Sequence, residues 1–191
     1  MQLQKTMIPD LMIIQPKVFN DSRGFFLESY NQNSFFANGI MNDFVQDNHS
    51  KSSYGVLRGL HYQNPPFAQA KLVRVTRGKV LDLAVDIRIG SPTYLQHFAI
   101  ELSEENMTQL FIPQGFAHGF VVLSEEVEFL YKCDNFYNKE ADGGILFNDP
   151  ALGIDWIIPE NEMIVSEKDM NHPITENAKF NFPFEQYTKT I

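Results

Sequence analysis

The chain has 191 residues, 43% of them hydrophobic, which suffices for one domain (1–191) with a substantial core and is too few for two. A formal charge of −9 without any clustered run of Lys or Arg excludes a sequence-independent nucleic-acid binder, although a few placed cations can still hold an anionic small ligand. Cys133 is the only cysteine, so no intramolecular disulfide can form and a reducing cytoplasm is the expected location. No stretch reaches about 18 apolar residues, and the opening MQLQKTMIPDLMII lacks a basic segment followed by a long apolar run, so neither a membrane span nor export is expected. Seventeen Phe and seven Tyr, in short apolar runs broken by turn residues, point to an all-β sandwich or barrel.

In chain order, Met12 to Val18 and Gly24 to Tyr30 read as strands joined by the turn Phe19-Asn20-Asp21-Ser22-Arg23. From pattern alone this is a solvated edge hairpin in which Arg23 and Glu28 pair across Phe25-Phe26. Asn33 to Asn38 predicts a short helix capped by Asn33 or Ser34 and stopped at Gly39. Gln46-Asp47-Asn48-His49-Ser50 is either a turn or a set of donors and acceptors aimed at a ligand.

Val56 to Gln63 and Lys71 to Thr76 carry strand patterns on either side of Asn64-Pro65-Pro66. Arg58 and His61 are three apart, which in a regular strand sends them to opposite faces; a bulge at Gly59 would bring both to one cavity. Next, KLVRVTRGKVLDLAVDI predicts a hairpin turning at Arg77-Gly78. It puts Lys71, Val73, Val75, Val80, Asp82, Ala84 and Asp86 on one face and Leu72, Arg74, Leu81, Leu83, Val85 and Ile87 on the other.

Phe98 to Leu102 and Thr108 to Ile112 are further strands. Glu126 to Asp134 alternates so that Phe129, Tyr131 and Cys133 share a face, and Asn138 to Gly144 is a polar loop. The last quarter looks irregular apart from a brief helix started by Ser166-Glu167-Lys168-Asp169 and ended by Pro173. Pro113-Gln114-Gly115-Phe116-Ala117-His118 resembles the PxGxxH motif of the cupin superfamily.

A cupin-like barrel invites a metal, but only His61 and His118 occupy the motif positions, short of the three ligands that zinc or non-haem iron needs. Nothing resembles GxGxxG, a P-loop or GxSxG. No metal and no cofactor are therefore expected. The remaining His, Lys, Tyr and Asp suit proton abstraction beside a carbonyl: a His base, a cation for the enolate oxygen and a second acid to return the proton.

Ordered motifs along nearly the whole chain then carry a resemblance. They are Asp21-Ser22-Arg23-Gly24-Phe25-Phe26, Gln46-Asp47-Asn48-His49-Ser50, Arg58-Gly59-Leu60-His61, Lys71-Leu72-Val73-Arg74, Pro113 to Phe120, Phe129-Leu130-Tyr131-Lys132 and Ser166-Glu167-Lys168-Asp169. The sequence resembles the dTDP-4-dehydrorhamnose 3,5-epimerase family. The resemblance implies an all-β, metal-free cupin-type jelly-roll barrel of two antiparallel sheets with a few short helices, mainly at the C-terminus. It implies a homodimer whose N-terminal arm, about residues 1–30, reaches the partner, and dTDP-4-dehydro-6-deoxy-D-glucose as substrate on the way to dTDP-L-rhamnose.

By the same resemblance His61 is the base, Asp169 its carboxylate partner, Tyr131 the acid, and Lys71 the residue near the C4 carbonyl. Arg23 and Glu28 match the arm that reaches the nucleotide, with Phe26 nearby as a stacking candidate. Gln46, Asp47, Asn48, Arg58, His118 and Lys168 match contacts to the nucleotide-sugar, and Tyr137 the aromatic that stacks on thymine. Asp142 stands where the family commonly has Glu, a shorter arm for one substrate contact. Two alternatives remain open: epimerisation at C3 alone or of another nucleotide-4-keto-sugar, and a sugar-binding jelly roll without catalysis.

Overall fold

The computed structural model describes residues 1–188 and consists mostly of strands. Along the chain, β1 (Gln2–Lys5), β2 (Met12–Gln15), β3 (Val18–Asp21) and β4 (Gly24–Leu27) precede the short helix α1 (Gln32–Ala37). Then come β5 (Gln46–Ser53), β6 (Val56–Gln63), β7 (Lys71–Arg77), β8 (Lys79–Asp86), β9 (His97–Ser103), β10 (Gln109–Ile112), β11 (Phe116–Val122) and β12 (Glu126–Cys133). β13 (Asp142–Gly144), β14 (Ile164–Val165), α2 (Glu167–Met170) and α3 (Phe184–Tyr187) follow.

One sheet runs β1-β2-β10-β7-β12-β5 and the other β13-β6-β11-β8-β9, with antiparallel ladders in both and β14 added parallel to β6. Alternation along the strands explains why the sheets stack. Val73, Val75, Leu110 and Phe129 from the first sheet meet Val80, Ala84, Leu102 and Phe120 from the second in one buried cluster. The outer face of the second sheet buries Leu81, Leu83, Val85 and Ile87 beneath Phe147, Trp156 and Phe182 of the C-terminal region. Burying a side chain such as Phe182 stabilises the fold by about 1.5–3 kcal/mol. Phe35 and Ile40 cover Leu72 and Phe111 on the outside of the first sheet. This is the two-sheet jelly roll that the sequence predicts.

The hairpin expected at Arg77-Gly78 does not form. β7 pairs with β10 and β12, whereas β8 pairs with β11 and β9, so the chain crosses from one sheet to the other at Gly78. Gly78 has φ +74°, and a Cβ there would overlap the Glu126 carbonyl, so the crossing needs glycine. The predicted faces nevertheless hold, because period 2 assigns a residue to a side of its strand whichever strand lies alongside.

Other local expectations shift for identifiable reasons. α1 is capped by Asn31, whose side chain accepts from the Ser34 N–H, two or three residues before the predicted cap at Asn33 or Ser34. Pro16 separates β2 from β3, and the β3–β4 hairpin pairs with neither large sheet. Arg23 pairs with Asp21 at 2.6 Å, not with Glu28, which instead accepts from Asn31. Arg88 is fully buried between Asp86 at 2.9 Å and Asp10 at 2.7 Å and lies over the Phe116 ring. Such an Arg ties the N-terminal segment to the second sheet, and its burial is invisible in sequence.

Candidate active site

The Gln46 to Ser50 segment is strand, not turn. Its inward residues Gln46, Asn48, Ser50 and Ser52 are the less exposed ones, and Asp47, His49 and Lys51 face out. Through β12 this strand adjoins β7, and the register sets Asn48, Tyr131 and Val73 in one row and Gln46, Cys133 and Lys71 in the next. These rows form one wall of a cavity.

The opposite wall comes from the second sheet. The β6–β11 ladder pairs His61 with His118 and Arg58 with Phe120, two residues apart on β11 but three on β6, so a bulge lies between them. Arg58 and His61 therefore share a side, as the glycine at 59 predicts. The bulge sits where β6 and β11 nearly touch: a Cβ on Gly59 would lie 2.6 Å from the Gly119 Cα, and one on Gly119 would lie 2.8 Å from the Arg58 carbonyl oxygen.

Between the walls is a cavity of ≈390 Å³ lined in part by Gln46, Asn48, His61, Lys71, Tyr131, Tyr137, Asp142 and Lys168. At its floor His61 Nε2 lies 2.7 Å from Asp169 Oδ1. Asp169 is 4% exposed and reaches this point because Ser166 caps α2, accepting from the Asp169 N–H, as expected. The Gly59 N–H donates to the other carboxylate oxygen at 3.2 Å. Burial works against ionisation of Asp169, but the hydrogen bond and charge of His61, the Gly59 N–H and His172 outweigh it, so its carboxyl titrates below the ordinary range.

Lys71 and Tyr131 stand near one another, with the ammonium 5.8 Å from the ring centroid. Desolvation lowers the Lys71 pKa, opposed by Cys133, Asp82 and Asp142. Desolvation raises that of Tyr131, helped by Cys133 and opposed by Arg58, so its hydroxyl keeps its proton at neutral pH. Burial pushes the Cys133 thiol up to about 11, which leaves it an inert wall residue. At the cavity mouth Lys168 pairs with Asp142, which also accepts from the Tyr137 hydroxyl at 3.3 Å. The shorter Asp arm thus still carries two contacts.

The remaining predicted residues lie elsewhere. Arg58 donates to Ser52 at 3.1 Å, and Asp47 faces out to Lys132 at 2.8 Å. His118 is buried against Asp82 at 2.9 Å, its pKa lowered by desolvation against the pull of Asp82. Arg23 and Phe26 sit on the β3–β4 hairpin, where Phe19, Phe25 and Phe26 are all exposed, and Glu28 follows it. Sequence reasoning missed two neighbours of the site. Asp82 was foreseen only on the Lys71 face, and His172 carried no signal, yet its Nε2 is 3.5 Å from Asp169 Oδ1. A separate cavity of ≈330 Å³ between Ile40 and Tyr187 has Asp134 in its lining, but Asn42, Gln114 and the Ala70 N–H already engage that carboxylate.

Comparison with known proteins shows the family. The family model for dTDP-4-dehydrorhamnose 3,5-epimerase matches residues 5–177. A dTDP-4-dehydrorhamnose 3,5-epimerase of Shigella flexneri is 56% identical over 172 residues, 90% of this chain and 94% of that protein. The crystal structure of the Elizabethkingia anophelis enzyme superposes with TM-score 0.89 at 56% identity, covering 92% of this chain and 97% of that one. A dTDP-6-deoxy-D-glucose-3,5-epimerase of Legionella pneumophila, solved in complex with dTDP-4-keto-L-rhamnose, also gives 0.89, at 44% identity over 100% and 98% of the two chains. On its motifs, fold and likeness over nearly its whole length, the chain belongs to the dTDP-4-dehydrorhamnose 3,5-epimerase family.

Proposed function

We propose that the chain epimerises dTDP-4-dehydro-6-deoxy-D-glucose at C3 and C5 to dTDP-4-dehydro-L-rhamnose, with His61 as base and Tyr131 as acid. The observation that carries this reading is that the two side chains enter one cavity from opposing sheets. Inversion requires a proton to leave one face of the sugar and return to the other, and residues on opposite walls meet that demand. Because Nε2 is held by Asp169, Nδ1 is the nitrogen left to take the proton, and the carboxylate stabilises the imidazolium that results. Lys71 balances the negative charge that develops on the C4 oxygen. Tyr131 then donates its proton, and solvent restores both residues before the second carbon reacts. Gln46, Asn48, Tyr137, Asp142 and Lys168, which line the cavity, hold the nucleotide-sugar, and Arg58, bonded to Ser52 outside that lining, adds a cation.

Supplying the keto-sugar in deuterated water and following label by NMR tests this directly. Uptake at both C3 and C5 is the expected result. Label at C3 alone would restrict the enzyme to one centre, and binding without label would leave a sugar-binding protein.

We further propose that the chain works in the cytoplasm as one domain and a homodimer in which the β3–β4 arm covers the partner's cavity. The exposed Phe19, Phe25 and Phe26 on a hairpin outside both large sheets support a second copy as their cover. No helix among the described residues is long and apolar enough to cross a membrane. Mixing His61→Ala and Arg23→Ala chains should restore activity through one intact site per mixed dimer; recovery no greater than the parents would place the arm over its own site.

A further inference from the structure

We propose that His61 Nε2, Asp169 Oδ1 and His172 Nε2 form an inhibitory site for a divalent transition cation, best matched by Zn²⁺. One donor atom from each of the three residues lies within 4.8 Å of the other two. Two imidazole nitrogens and one carboxylate oxygen, with a fourth position left to water, make a donor set that zinc accepts. The site differs from the motif positions of a metal-binding cupin, where His118 would take part, since His118 is engaged by Asp82.

The independent sign of a missing ligand is His172. Its side chain is 10% exposed, and its Nε2 is buried without any hydrogen-bond partner. A buried imidazole nitrogen in that condition calls for an ion or a water. The Gly144 backbone packs against this ring, and a Cβ there would sit nearly equidistant from Cδ2, Cε1 and Nε2. Equidistance places it over the ring face, so Gly144 does not block the in-plane lone pair of Nε2.

Two of the three donor separations are near what zinc needs, and the two imidazoles, with donor atoms within 4.8 Å, would close onto the ion. Zinc bonds of about 2.0–2.1 Å in a tetrahedron separate the ligand atoms by roughly 3.3 Å. His172 Nε2 is 3.5 Å from Asp169 Oδ1, and the 2.7 Å contact of Asp169 with His61 would open by a fraction of an ångström. His61 is 32% exposed toward the cavity, which gives the ion its way in.

Occupation would silence the site by a definite route, which rests on the reading of His61 as base. Metal on Nε2 leaves the one imidazole proton on Nδ1, so Nδ1 can no longer accept a proton, and the Asp169 charge is taken up by the cation. Substrate binding at the mouth would be untouched. Turnover would fall with little change in KM.

The test titrates the chelator-stripped full chain with Co²⁺, read by its visible bands, then with Zn²⁺ as competitor, and follows turnover in parallel. Wild type should bind one ion per chain and lose activity. His172→Ala and His172→Gln should weaken binding by more than about tenfold, and whatever turnover each variant retains should resist added Zn²⁺ to the same extent. No saturable binding in wild type, as when a water alone satisfies His172, would overturn the site, and so would unchanged binding in both variants. Binding that leaves turnover intact would overturn the inhibitory role. An inactive stripped wild-type protein would speak against the epimerase reading, whereas the spectra report the metal site on their own.

Discussion

Two His–carboxylate pairs face the interior of this barrel, and they differ in what surrounds them. His61 and Asp169 meet at a cavity floor, with the imidazole 32% exposed and the carboxylate fixed by a helix cap and a backbone N–H. His118 and Asp82 meet at nearly the same distance, 2.9 Å against 2.7 Å, but their side chains are only 7% and 0% exposed and His118 stacks on Phe129. One pair can exchange a proton with a ligand, and the other is walled in. On the proposed reading, access and not the pairing itself separates a base from a buried support.

The largest effect should come from making the same isosteric change in both pairs. Asp169→Asn removes the charge that stabilises the imidazolium and should lower solvent exchange by as much as about 10⁴-fold, as when the carboxylate of a catalytic triad becomes an amide. Asp82→Asn should lower it by less than about tenfold, or 1.4 kcal/mol of barrier. Exchange measured by NMR on the purified variants checks this, and equal losses would erase the distinction.

A smaller, sharper contrast concerns acid. The His118 pKa is depressed in the folded state, so the unfolded chain binds its proton first as pH falls. Its stabilising contribution is complete above the ordinary histidine range near pH 6.5 and declines as pH drops toward the folded value. Asp169 is also depressed, but from 3.8, so its window opens only at stronger acid. Thermal unfolding of His118→Gln, which keeps a donor for Asp82 without titrating, should therefore lose less between pH 7 and 5 than wild type. Parallel pH curves would show that the buried pair does not titrate on unfolding.

How much of this is legible in sequence follows from the same contrast. Gly59 between Arg58 and His61 announces a bulge because glycine in a strand has few other uses, and Ser166 three residues before Asp169 announces a cap. Period 2 sorts Val73, Val80 and Leu83 to their faces, yet says nothing of partners, which is why the β7–β8 crossing at Gly78 reads as a hairpin. β5 reads as either a turn or a set of ligand-facing donors and acceptors, and its strand character stays hidden because its inward residues line a polar cavity and so lack apolar alternation. The burial of Arg88, the Asp82 partner of His118 and the approach of His172 depend on segments distant in sequence, and no local pattern encodes them. The base, acid and binding assignments come from the family motifs, not from periodicity.

The central claim is that His61 and Tyr131 serve opposite faces of one sugar ring, and Tyr131→Phe tests it most directly. Solvent-deuterium exchange and product stereochemistry are followed together on the purified variant. Exchange should persist, since His61, Asp169 and Lys71 remain, while inversion is lost because no proton arrives from the far wall. Full inversion at the wild-type rate would contradict the account and leave Tyr131 as a wall residue beside Phe129 and Cys133.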